Sequence, residues 1–577
     1  MLKIWRSPYS RFGVNLEHNN DLLFETFTAE KNYTDEVLQD IAKCGFNAIW
    51  LHGQLHHIIP NARFPELAPN AKLHQDALHT LCARAAKYGI KVYLYMQPPR
   101  ALPTSDTKFW EAHADVKGQT GFTNGDDASR FEVASLCIST EKVQNYLRES
   151  FADLAGELPE LGGYIIISAS EYPAHCYWGS NCRPGSNRPR KHPVPEFPNS
   201  CPRCSQREPE DVVVQVLQLI RDGVRSVNTT QDLIFWNWSW TMYIDPPCEP
   251  IISRLPKDVK VLADFERGGW RKDGVKVDEY SLGYAGPSEL FQDVKALGDR
   301  YGLQVMPKFQ LGTTHELGSV RSLPIMPSIF KKADYARKQN CYGFMGCWNF
   351  GNLNSTSIKA FNYFLDLKED LSCDEALKKF ALEEYPGKNA DLVVEAWNDF
   401  ARAMERHPFC IPYLYDGPVN LALSLIPEMG KLSGKRVGRS WLPDERGDVY
   451  PEPKEYPLEE DLIPRLKDVY TVWNEGVEKM RLALGEENKD YQNAAICGAA
   501  WESCYYLYRI YALKKNWDDS KVEEFKHLAA LDLAVAERAL PYVKADPEQG
   551  WHIEGDFRAF SAELVEKKIA ALKALLA

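Results

Sequence analysis

The feature that most constrains the fold of this 577-residue chain is an alternation of short apolar runs with longer amphipathic stretches, up to about residue 350. The apolar runs span residues 12–16, 47–51, 91–96, 163–167, 233–238, 259–264, 304–309 and 343–348. Helical patterns fill the intervals, at 33–43, 75–87, 140–158, 209–227, 288–301 and 326–338. Strand followed by helix, repeated in this way, predicts a parallel (β/α)₈ barrel, the TIM-barrel fold.

The local sequence supports a barrel over an open sheet. The apolar runs are nearly continuous, as expected for strands covered on both faces. Glycine follows two of the helical patterns, in AKCGFNAIW and AKYGIKVYLY, where it supplies a left-handed C-cap. An open doubly wound sheet is the alternative, but no glycine-rich phosphate loop follows the first run.

The chain is long enough for two or three domains. We assign residues 1–360 to the barrel, with a cysteine-rich loop at 172–208, and residues 361–577 to an all-α C-terminal domain. An irregular segment at about 408–457 interrupts the helical domain and carries Tyr415 and Asn420. This segment is either a linker or a lid that reaches the mouth of the barrel. The C-terminal helical patterns are 373–384, 388–407, 459–484, 491–515, 520–542 and 557–577.

Charge and hydropathy limit the partners. The formal net charge is −12, which argues against nucleic acid because phosphate binding needs a basic face. No run of about 18 apolar residues is present, so no membrane-spanning helix is expected. The N-terminus lacks the apolar core of a signal peptide, which favours a cytoplasmic protein unless a leader has been removed.

Three glutamates fall near predicted strand ends on the face where barrel enzymes carry their chemistry. Glu171 follows the fourth strand, Glu266 the sixth and Glu316 the seventh. Glycoside hydrolysis needs one carboxylic acid that protonates the leaving oxygen and one carboxylate that attacks the anomeric carbon or activates water. Glu171 is the predicted acid, Glu316 the predicted nucleophile or base, and Glu266 an assisting group. The alternative is that these are rim acids in salt bridges.

Large aromatic and amide side chains near other strand ends suit a sugar, which has apolar faces and a hydroxyl rim. In IFWNWSW, alternating tryptophans point to one face of the fifth strand, unless they fill the space between barrel and helices. His52, His56 and His57 also suggest a metal site, although no matching carboxylate motif accompanies them. The predicted substrate-binding residues are Asp264, Trp236, Trp238, Trp348, Asn349, His52, Gln97 and Arg100.

Fourteen cysteines are present, and most, including Cys137, are expected to be reduced core residues. Four follow the fourth strand as HCYWGSNC and CPRC, and the second pair has the spacing of a zinc half-site. We predict a structural zinc ion bound by Cys176, Cys182, Cys201 and Cys204, with His175 or His192 as substitute ligands. Disulfides and free thiols are the alternatives.

The stretch SLCISTEKVQNYLRESFADLAGELPELGGYIIISASE resembles barrel glycoside hydrolases whose acid closes strand four. Family 20 β-N-acetylhexosaminidases and family 67 α-glucuronidases are similar in architecture and acid placement over residues 10–360. In family 20 an aspartate precedes the acid, whereas Ser170 stands here. The resemblance to family 67 implies carboxylates after strands four, six and seven, although Glu266 replaces an aspartate there.

These features together predict an exo-acting glycosidase. The preferred substrate is an N-acetylhexosaminide, with a uronide or a plain hexoside as alternatives. Three other functions stay open: a noncatalytic carbohydrate-binding barrel, a metal-dependent barrel hydrolase or lyase, and an assembly protein whose helical half forms a homo-oligomer.

Overall fold

A computed structural model describes residues 1–6, 20–122, 131–168, 172–177, 199–238, 240–242, 244–348, 350–437, 446–553 and 557–577. The chain divides into two compact units. We call the first the barrel unit; it comprises Met1–Asp264, Glu289–Lys308 and Cys341–Met345. The second, the helical unit, comprises Phe265–Ser288, Phe309–Asn340 and Gly346–Ala577.

Eight parallel strands close into a barrel, in the order β1-β8-β7-β6-β5-β4-β3-β2. Every residue of β2, β4 and β5 is buried, as the continuous apolar runs predict. The predicted (β/α)₈ fold is therefore confirmed. The strands are β1 Leu2–Trp5, β2 Ala48–His52, β3 Lys91–Met96, β4 Gly163–Ile167, β5 Asp232–Trp236, β6 Lys260–Asp264, β7 Gln304–Lys308 and β8 Gly343–Met345.

The first strand lies earlier in the chain than predicted. Leu2–Trp5 pairs with both β2 and β8 and completes the barrel, so the prediction of the first strand at residues 12–16 is wrong. That run lies outside the described residues. The short sequence LKIW was missed because it has only four residues, although Ile4 and Trp5 are buried.

Helices connect the barrel strands where the periodicity predicts them. Pro209–Val227 begins with proline in its first turn and buries a valine- and leucine-rich stripe. Gly45 and Gly89 have φ values of 79° and 70°, which confirms the predicted left-handed caps. The α-helices of this unit are Glu25–Asn32, Asp35–Lys43, Leu55–Ile58, Ala71–Ala86, Thr107–Ala112, Glu141–Glu157, Pro209–Val227, Glu249–Ile252 and Glu289–Tyr301.

A small antiparallel sheet is inserted between β3 and β4. Its central strand, Glu132–Leu136, pairs with Leu102–Pro103 on one side and Lys117–Phe122 on the other. Because Cys137 directly follows the central strand, the sheet sets the position of that cysteine.

The helical unit is built largely from long amphipathic helices, as predicted from about residue 361 onward. Helix Cys373–Glu384 begins at a capping box formed by Ser372 and Glu375. Two short helices, Ile411–Asp416 and Pro418–Leu421, lie within the irregular segment. The α-helices are Met326–Lys338, Thr356–Leu365, Cys373–Glu384, Ala390–Arg406, Ile411–Asp416, Ile463–Leu484, Lys489–Lys515, Val522–Ala545 and Ala562–Leu576.

None of the helices in the described part of the chain combines the length and the apolar character that a membrane crossing requires.

Candidate functional site

The carboxyl ends of β2 and β3 carry a chain of polar side chains. His52 is the last residue of β2, and its Nε2 atom lies 2.7 Å from Gln54 Nε2. Gln97 follows β3 and donates to the hydroxyl of Tyr95 at 3.0 Å. Arg100 in turn donates to Gln97 Oε1. The predicted binding residues His52, Gln97 and Arg100 are thus part of one buried network at one end of the barrel.

The network continues to β5 and β6. The Trp236 ring lies 6.4 Å from Tyr95, and its indole nitrogen donates to Asp264 Oδ1 at 3.1 Å. Trp236 is the last residue of β5 and Asp264 the last of β6. Carboxyl ends of parallel strands meet at the same end of a barrel, so these groups lie on one face of it. We call this set of residues the mouth network; its members are His52, Gln54, Tyr95, Gln97, Arg100, Trp236 and Asp264.

His52 is held in the network as a neutral imidazole. Its backbone amide donates to Glu25 Oε2 at 2.7 Å, and this carboxylate is paired with the buried Arg6. Burial, followed by the nearby positive charges of Arg100 and Arg6, lowers the pKa of His52 well below its ordinary value. A neutral ring at this position exchanges hydrogen bonds with hydroxyl groups and carries no charge of its own.

The predicted alternation of tryptophans on one face of the fifth strand is only partly present. β5 ends at Trp236, so strand alternation does not extend to Trp240. Trp240 is buried and donates to Ser168 Oγ at 2.8 Å, whereas Trp238 and Trp348 are half-buried. Trp236 is itself 1% exposed, so its role in the structure is to orient Asp264. Asn349 lies outside the described residues.

Glu171, the predicted acid, also lies outside the described residues, but the segment that follows it is held firmly. Arg100 lies over the Tyr172 ring, with Cζ 3.2 Å from the ring centroid. The amide of Ala101 donates to Pro173 O at 2.9 Å. Arg100 therefore connects residues 172–177 to the mouth network.

Glu266 belongs to the helical unit and is fully buried. Its Oε1 atom lies 2.6 Å from Lys332 Nζ and accepts from the Gln310 amide at 2.9 Å. Lys332 also donates to the backbone oxygens of Ser281 and Gln310, at 2.9 and 3.0 Å. The ion pair thus anchors the segment Phe265–Ser288, which we call the β6 loop because it follows that strand.

Glu316 anchors the same loop by accepting hydrogen bonds. Its two oxygens accept from Ser281 Oγ at 2.7 Å, from the Leu282 amide at 2.8 Å and from Thr314 Oγ1 at 2.8 Å. The Gly283 amide also donates, and a Cβ atom at Gly283 would lie 2.8 Å from Glu316 Oε1. At 1% exposure, Glu316 directs its carboxylate at the loop.

A third acidic side chain, Glu279, was missed by sequence reasoning because it lies deep within the β6 loop, away from any strand end. Glu279 accepts a short hydrogen bond from the Tyr415 hydroxyl and one of 2.8 Å from the Tyr280 amide. His315 packs edge-on against the Tyr415 ring at 4.7 Å. The irregular segment, through Tyr415, therefore contacts the β6 loop.

Four buried cysteine sulfurs of the barrel unit converge within 4.8 Å of one another: Cys137, Cys176, Cys201 and Cys204. Cys137 lies 3.5 Å from Cys201 and 3.6 Å from Cys204, and all are free thiols. The cluster is able to bind a metal ion. Cys137 was assigned to the core from its neighbours in sequence, whereas the predicted ligand Cys182 lies outside the described residues.

A positively charged side chain and a hydroxyl group contact the sulfurs of this cysteine cluster. Arg203 Nε donates to Cys137 Sγ at 3.2 Å, and Ser139 Oγ lies 3.2 Å from Cys204 Sγ. The hydrogen bond with Cys176 is the main reason that the pKa of Cys137 falls to about 6. A Cβ atom at Gly118 would lie 2.5 Å from Cys176 Sγ, so only glycine allows this approach.

Histidines do not form a comparable group. Among the described residues, these cysteines are the only set of three or more His, Cys, Asp or Glu side chains placed to hold an ion. His52, His56 and His57 are therefore not brought together as ligands of one metal.

No known family profile matches the sequence, and no curated protein matches it. Among solved structures, a GH138 enzyme targeting pectin rhamnogalacturonan II matches with a TM-score of 0.53 and 11% identity, over 100% of this chain and 83% of that one. A Bacteroidetes-affiliated GH5 cellulase matches with a TM-score of 0.34 and 11% identity, over 59% and 87% of the two chains. A GH5_18 protein from Streptomyces cattleya in complex with GlcNAc gives 0.35 and 12%, over 60% and 70%.

At 11% identity, the GH138 match shows a shared fold. The specific resemblance to families 20 and 67 stays a prediction.

Proposed function

We propose that the protein is an exo-acting glycoside hydrolase. The observation that carries the proposal is the mouth network, which places neutral and charged hydrogen-bonding groups beside aromatic rings at the carboxyl ends of β2, β3, β5 and β6. Barrel enzymes bind their substrates at this face. The shared fold with an enzyme that targets a pectin polysaccharide agrees with a carbohydrate substrate.

Glu171 is the proposed general acid. It follows β4 by four residues and immediately precedes Tyr172, whose ring lies under Arg100. An acid at this place protonates the leaving oxygen while the glycosidic bond breaks. Glu316 and Glu266 stay candidates for the second carboxylate, but their contacts favour a positioning role on the β6 loop.

The proposed sugar is an N-acetylhexosaminide, and the mouth network gives a specific argument for a uronide. Arg100 is 3% exposed and carries a guanidinium next to Tyr172. A guanidinium in a site shielded from water favours a carboxylate of the substrate over a neutral hydroxymethyl group. A plain hexoside is the remaining alternative.

The metal that we propose for the cysteine cluster is Zn²⁺, bound by Cys137, Cys176, Cys201 and Cys204. With Zn–S bonds of about 2.3 Å, a regular tetrahedron has sulfur–sulfur edges of about 3.8 Å. The separations of 3.5 and 3.6 Å from Cys137 approach that edge and are far from a disulfide bond of about 2.05 Å. Four thiolates leave no open position, so the ion is structural.

The proposed function is tested by comparing wild type with Glu171→Gln on a panel of glycosides that includes N-acetylhexosaminides, uronides and hexosides. Each sugar is offered with an aryl and an alkyl leaving group. We expect wild type to cleave one sugar and Glu171→Gln to lose roughly 10²–10⁴-fold in kcat/KM, with the larger loss on the alkyl glycoside, because poor leaving groups need the proton most. Glu111→Gln, at an exposed position, is the control.

A noncatalytic carbohydrate-binding barrel is the second candidate, favoured by the burial of Glu266 and Glu316 at 0% and 1% exposure. It predicts that wild type and Glu171→Gln bind the same sugar equally in calorimetry and that neither cleaves it. That result would replace the hydrolase proposal.

A further inference from the structure

Residues 268–277 of the β6 loop form a hairpin, which we call the Trp270 hairpin. The Gly268 amide donates to Val277 O at 2.7 Å, and Trp270 pairs with Lys276 in antiparallel register. Because side chains alternate between the two faces of a strand, Trp270 and Lys276 share one face and Val277 lies on the other. Val277 is fully buried and Trp270 is 55% exposed, so the hairpin buries one face and presents the other to solvent.

The tip of the Trp270 hairpin is fastened to the helices of its own unit. Arg271 donates to the backbone oxygen of Glu405 at 2.7 Å. Arg465, which is only 7% exposed, donates to Asp273 Oδ2 at 2.9 Å. Glu405 and Arg465 belong to two different helices. The backbone that carries Trp270 is therefore fixed before any ligand binds, which reduces the entropy lost on binding.

The Trp270 ring is not engaged by the rest of the described chain. Within the described residues, no ring stacking, cation–π contact or hydrogen bond involves its side chain. The other exposed tryptophan of these residues, Trp551, is 38% exposed, and Arg558 lies over its ring with Cζ 5.1 Å from the centroid. Trp551 thus has a cationic partner within the chain, whereas Trp270 offers its exposed indole surface to a ligand.

The polar groups beside Trp270 are matched in charge. Lys276 Nζ lies 3.3 Å from Asp278 Oδ1, and these two side chains are 31% and 45% exposed. Such a pair has no net charge but still offers N–H donors and carboxylate acceptors to a ligand. A pyranose ring has the complementary surface, with an apolar C–H face and a rim of hydroxyl groups. Nucleic acid would need a basic face, which a matched pair does not supply.

We propose that Trp270 is the stacking platform of a carbohydrate-binding site in the helical unit, which holds one sugar ring of a polysaccharide chain. The choice of ligand rests on the proposed glycosidase function, and the site adds to that function a means of retaining polymeric substrate. The apolar face of the sugar lies on the indole, and its hydroxyl groups bond to Lys276 and Asp278. Binding at this site raises the local concentration of polymer and takes no part in bond cleavage.

Affinity gel electrophoresis measures this binding without turnover. Wild type, Trp270→Ala and Trp270→Phe are run through native gels that contain pectin, xylan or hydroxyethylcellulose, and through a gel without polysaccharide. We expect at least one polysaccharide to retard wild type, and Trp270→Ala to lose roughly tenfold in apparent affinity for it. Trp270→Phe should lose less, because it keeps an aromatic face. The Tm of both variants should match wild type, since the side chain is exposed.

Trp551 supplies the matched control. It also lies on a hairpin of the helical unit, where it pairs with the Arg558 that covers its ring. Trp551→Ala should therefore be retarded as strongly as wild type. Equal losses of affinity in Trp270→Ala and Trp551→Ala would overturn the inference, because they would reflect exposed aromatic surface in general.

The outcomes in the gel separate the inference from the proposed hydrolase. If Trp270→Ala is retarded as strongly as wild type, or if no polysaccharide retards wild type, the inference is overturned whatever the glycoside panel shows. If wild type is retarded through Trp270 but cleaves no glycoside, the inference stands and the hydrolase proposal fails. If sedimentation shows a wild-type dimer that Trp270→Ala dissociates, Trp270 belongs to an interface between copies of the chain and the inference is overturned.

Turnover gives a second measurement when wild type cleaves a glycoside. Trp270→Ala should raise KM for a polymer of that sugar while kcat/KM for the aryl glycoside stays at the wild-type value, because the small substrate does not need the platform. An equal loss on the aryl glycoside would make Trp270 part of the reacting site and overturn the inference.

Discussion

The described residues that follow β4 and the loop that follows β6 are both bound tightly, but by different chemistry. After β4, Cys176, Cys201 and Cys204 converge on Cys137 from the inserted sheet. After β6, the loop Phe265–Ser288 is bound by the Glu266–Lys332 ion pair and by Glu316. In each case a glycine lets the anchor approach closely: Gly118 beside a sulfur and Gly283 beside a carboxylate.

The difference shows which interactions stabilise each segment. The β6 loop is held by groups of the chain itself, namely the Glu266–Lys332 ion pair and the hydrogen bonds that Glu316 accepts. The cysteine cluster brings four thiols together, and under the proposed zinc site these cysteines would bind the ion as thiolates, so that ion binding would add to the stability of the fold. One segment is therefore expected to respond to metal supply, and the other to changes in buried charge.

The largest effect is expected from Cys137→Ser. Structural zinc binding reaches about 10–16 kcal/mol in zinc-finger peptides, so loss of one thiolate should release the ion and lower Tm more than the loss of a buried ion pair would. Plasma mass spectrometry should find one zinc per wild-type chain and much less in the variant, with Tm followed by calorimetry.

Two further cysteine variants complete that experiment. Cys82→Ser alters a buried thiol outside the cluster and should keep the zinc. Cys182→Ser tests the ligand that was predicted from sequence spacing. If Cys182→Ser loses the ion and Cys137→Ser retains it, the ligand set proposed for the cysteine cluster is incorrect.

A smaller loss of stability, arising from the contacts of the β6 loop, is expected from Lys332→Met. Removing one partner of a buried pair typically costs about 3–5 kcal/mol, because Glu266 would keep an uncompensated charge at 0% exposure. The free energy of unfolding in urea should fall by that amount while the zinc content stays unchanged. The double variant with Glu266→Leu should recover most of the loss.

The control for Lys332→Met is Lys272→Met. Lys272 pairs with Glu405, but the two side chains are 85% and 57% exposed, so solvent screens the pair. Its unfolding should match wild type. Equal losses in the two variants would contradict the view that buried charge organises this loop.

The smallest expected effect is a change in how the free energy of unfolding depends on pH in acid. His407 is buried, and burial, aided by Arg271 of the β6 loop, lowers its pKa to about 3. The folded state thus favours the neutral ring, so its stabilisation is complete above about pH 6.5 and is lost as pH falls, by about 1.4 kcal/mol per unit. His407→Phe should reduce the acid slope of stability by about that amount between pH 6 and 4, measured by urea unfolding.

The exposed His527 supplies the comparison for that slope. His527→Phe should leave the pH dependence of unfolding as it is in wild type. An unchanged slope in His407→Phe would show that His407 is not a source of the acid sensitivity of unfolding.

Sequence reasoning predicted the barrel well because each strand and helix is marked by local periodicity. β3 and β4 have the predicted bounds, and helices Pro209–Val227 and Met326–Lys338 do as well. The first strand was misplaced because four residues carry too little periodicity to stand out. Strand β5 was extended too far because tryptophans continue past its end.

The candidate site was harder to predict because it depends on contacts between distant residues. Cys137 joins sulfurs 64 and 67 positions further along the chain, and no local spacing marks that pairing. Glu279 meets Tyr415 across 136 positions. The local rule that places catalytic acids at strand ends selects Glu266 and Glu316, but Glu266 binds Lys332 and the Gln310 amide, and Glu316 binds the backbone of the β6 loop.

The convergence of four thiols also makes this segment sensitive to oxidation. Cys137 and Cys201 lie only about 1.5 Å beyond disulfide bonding distance, at 3.5 Å. An oxidant that joins them would remove two thiolate ligands at once and eject any ion they held. Peroxide exposure and zinc depletion should therefore produce the same local change in this segment by two independent chemical routes.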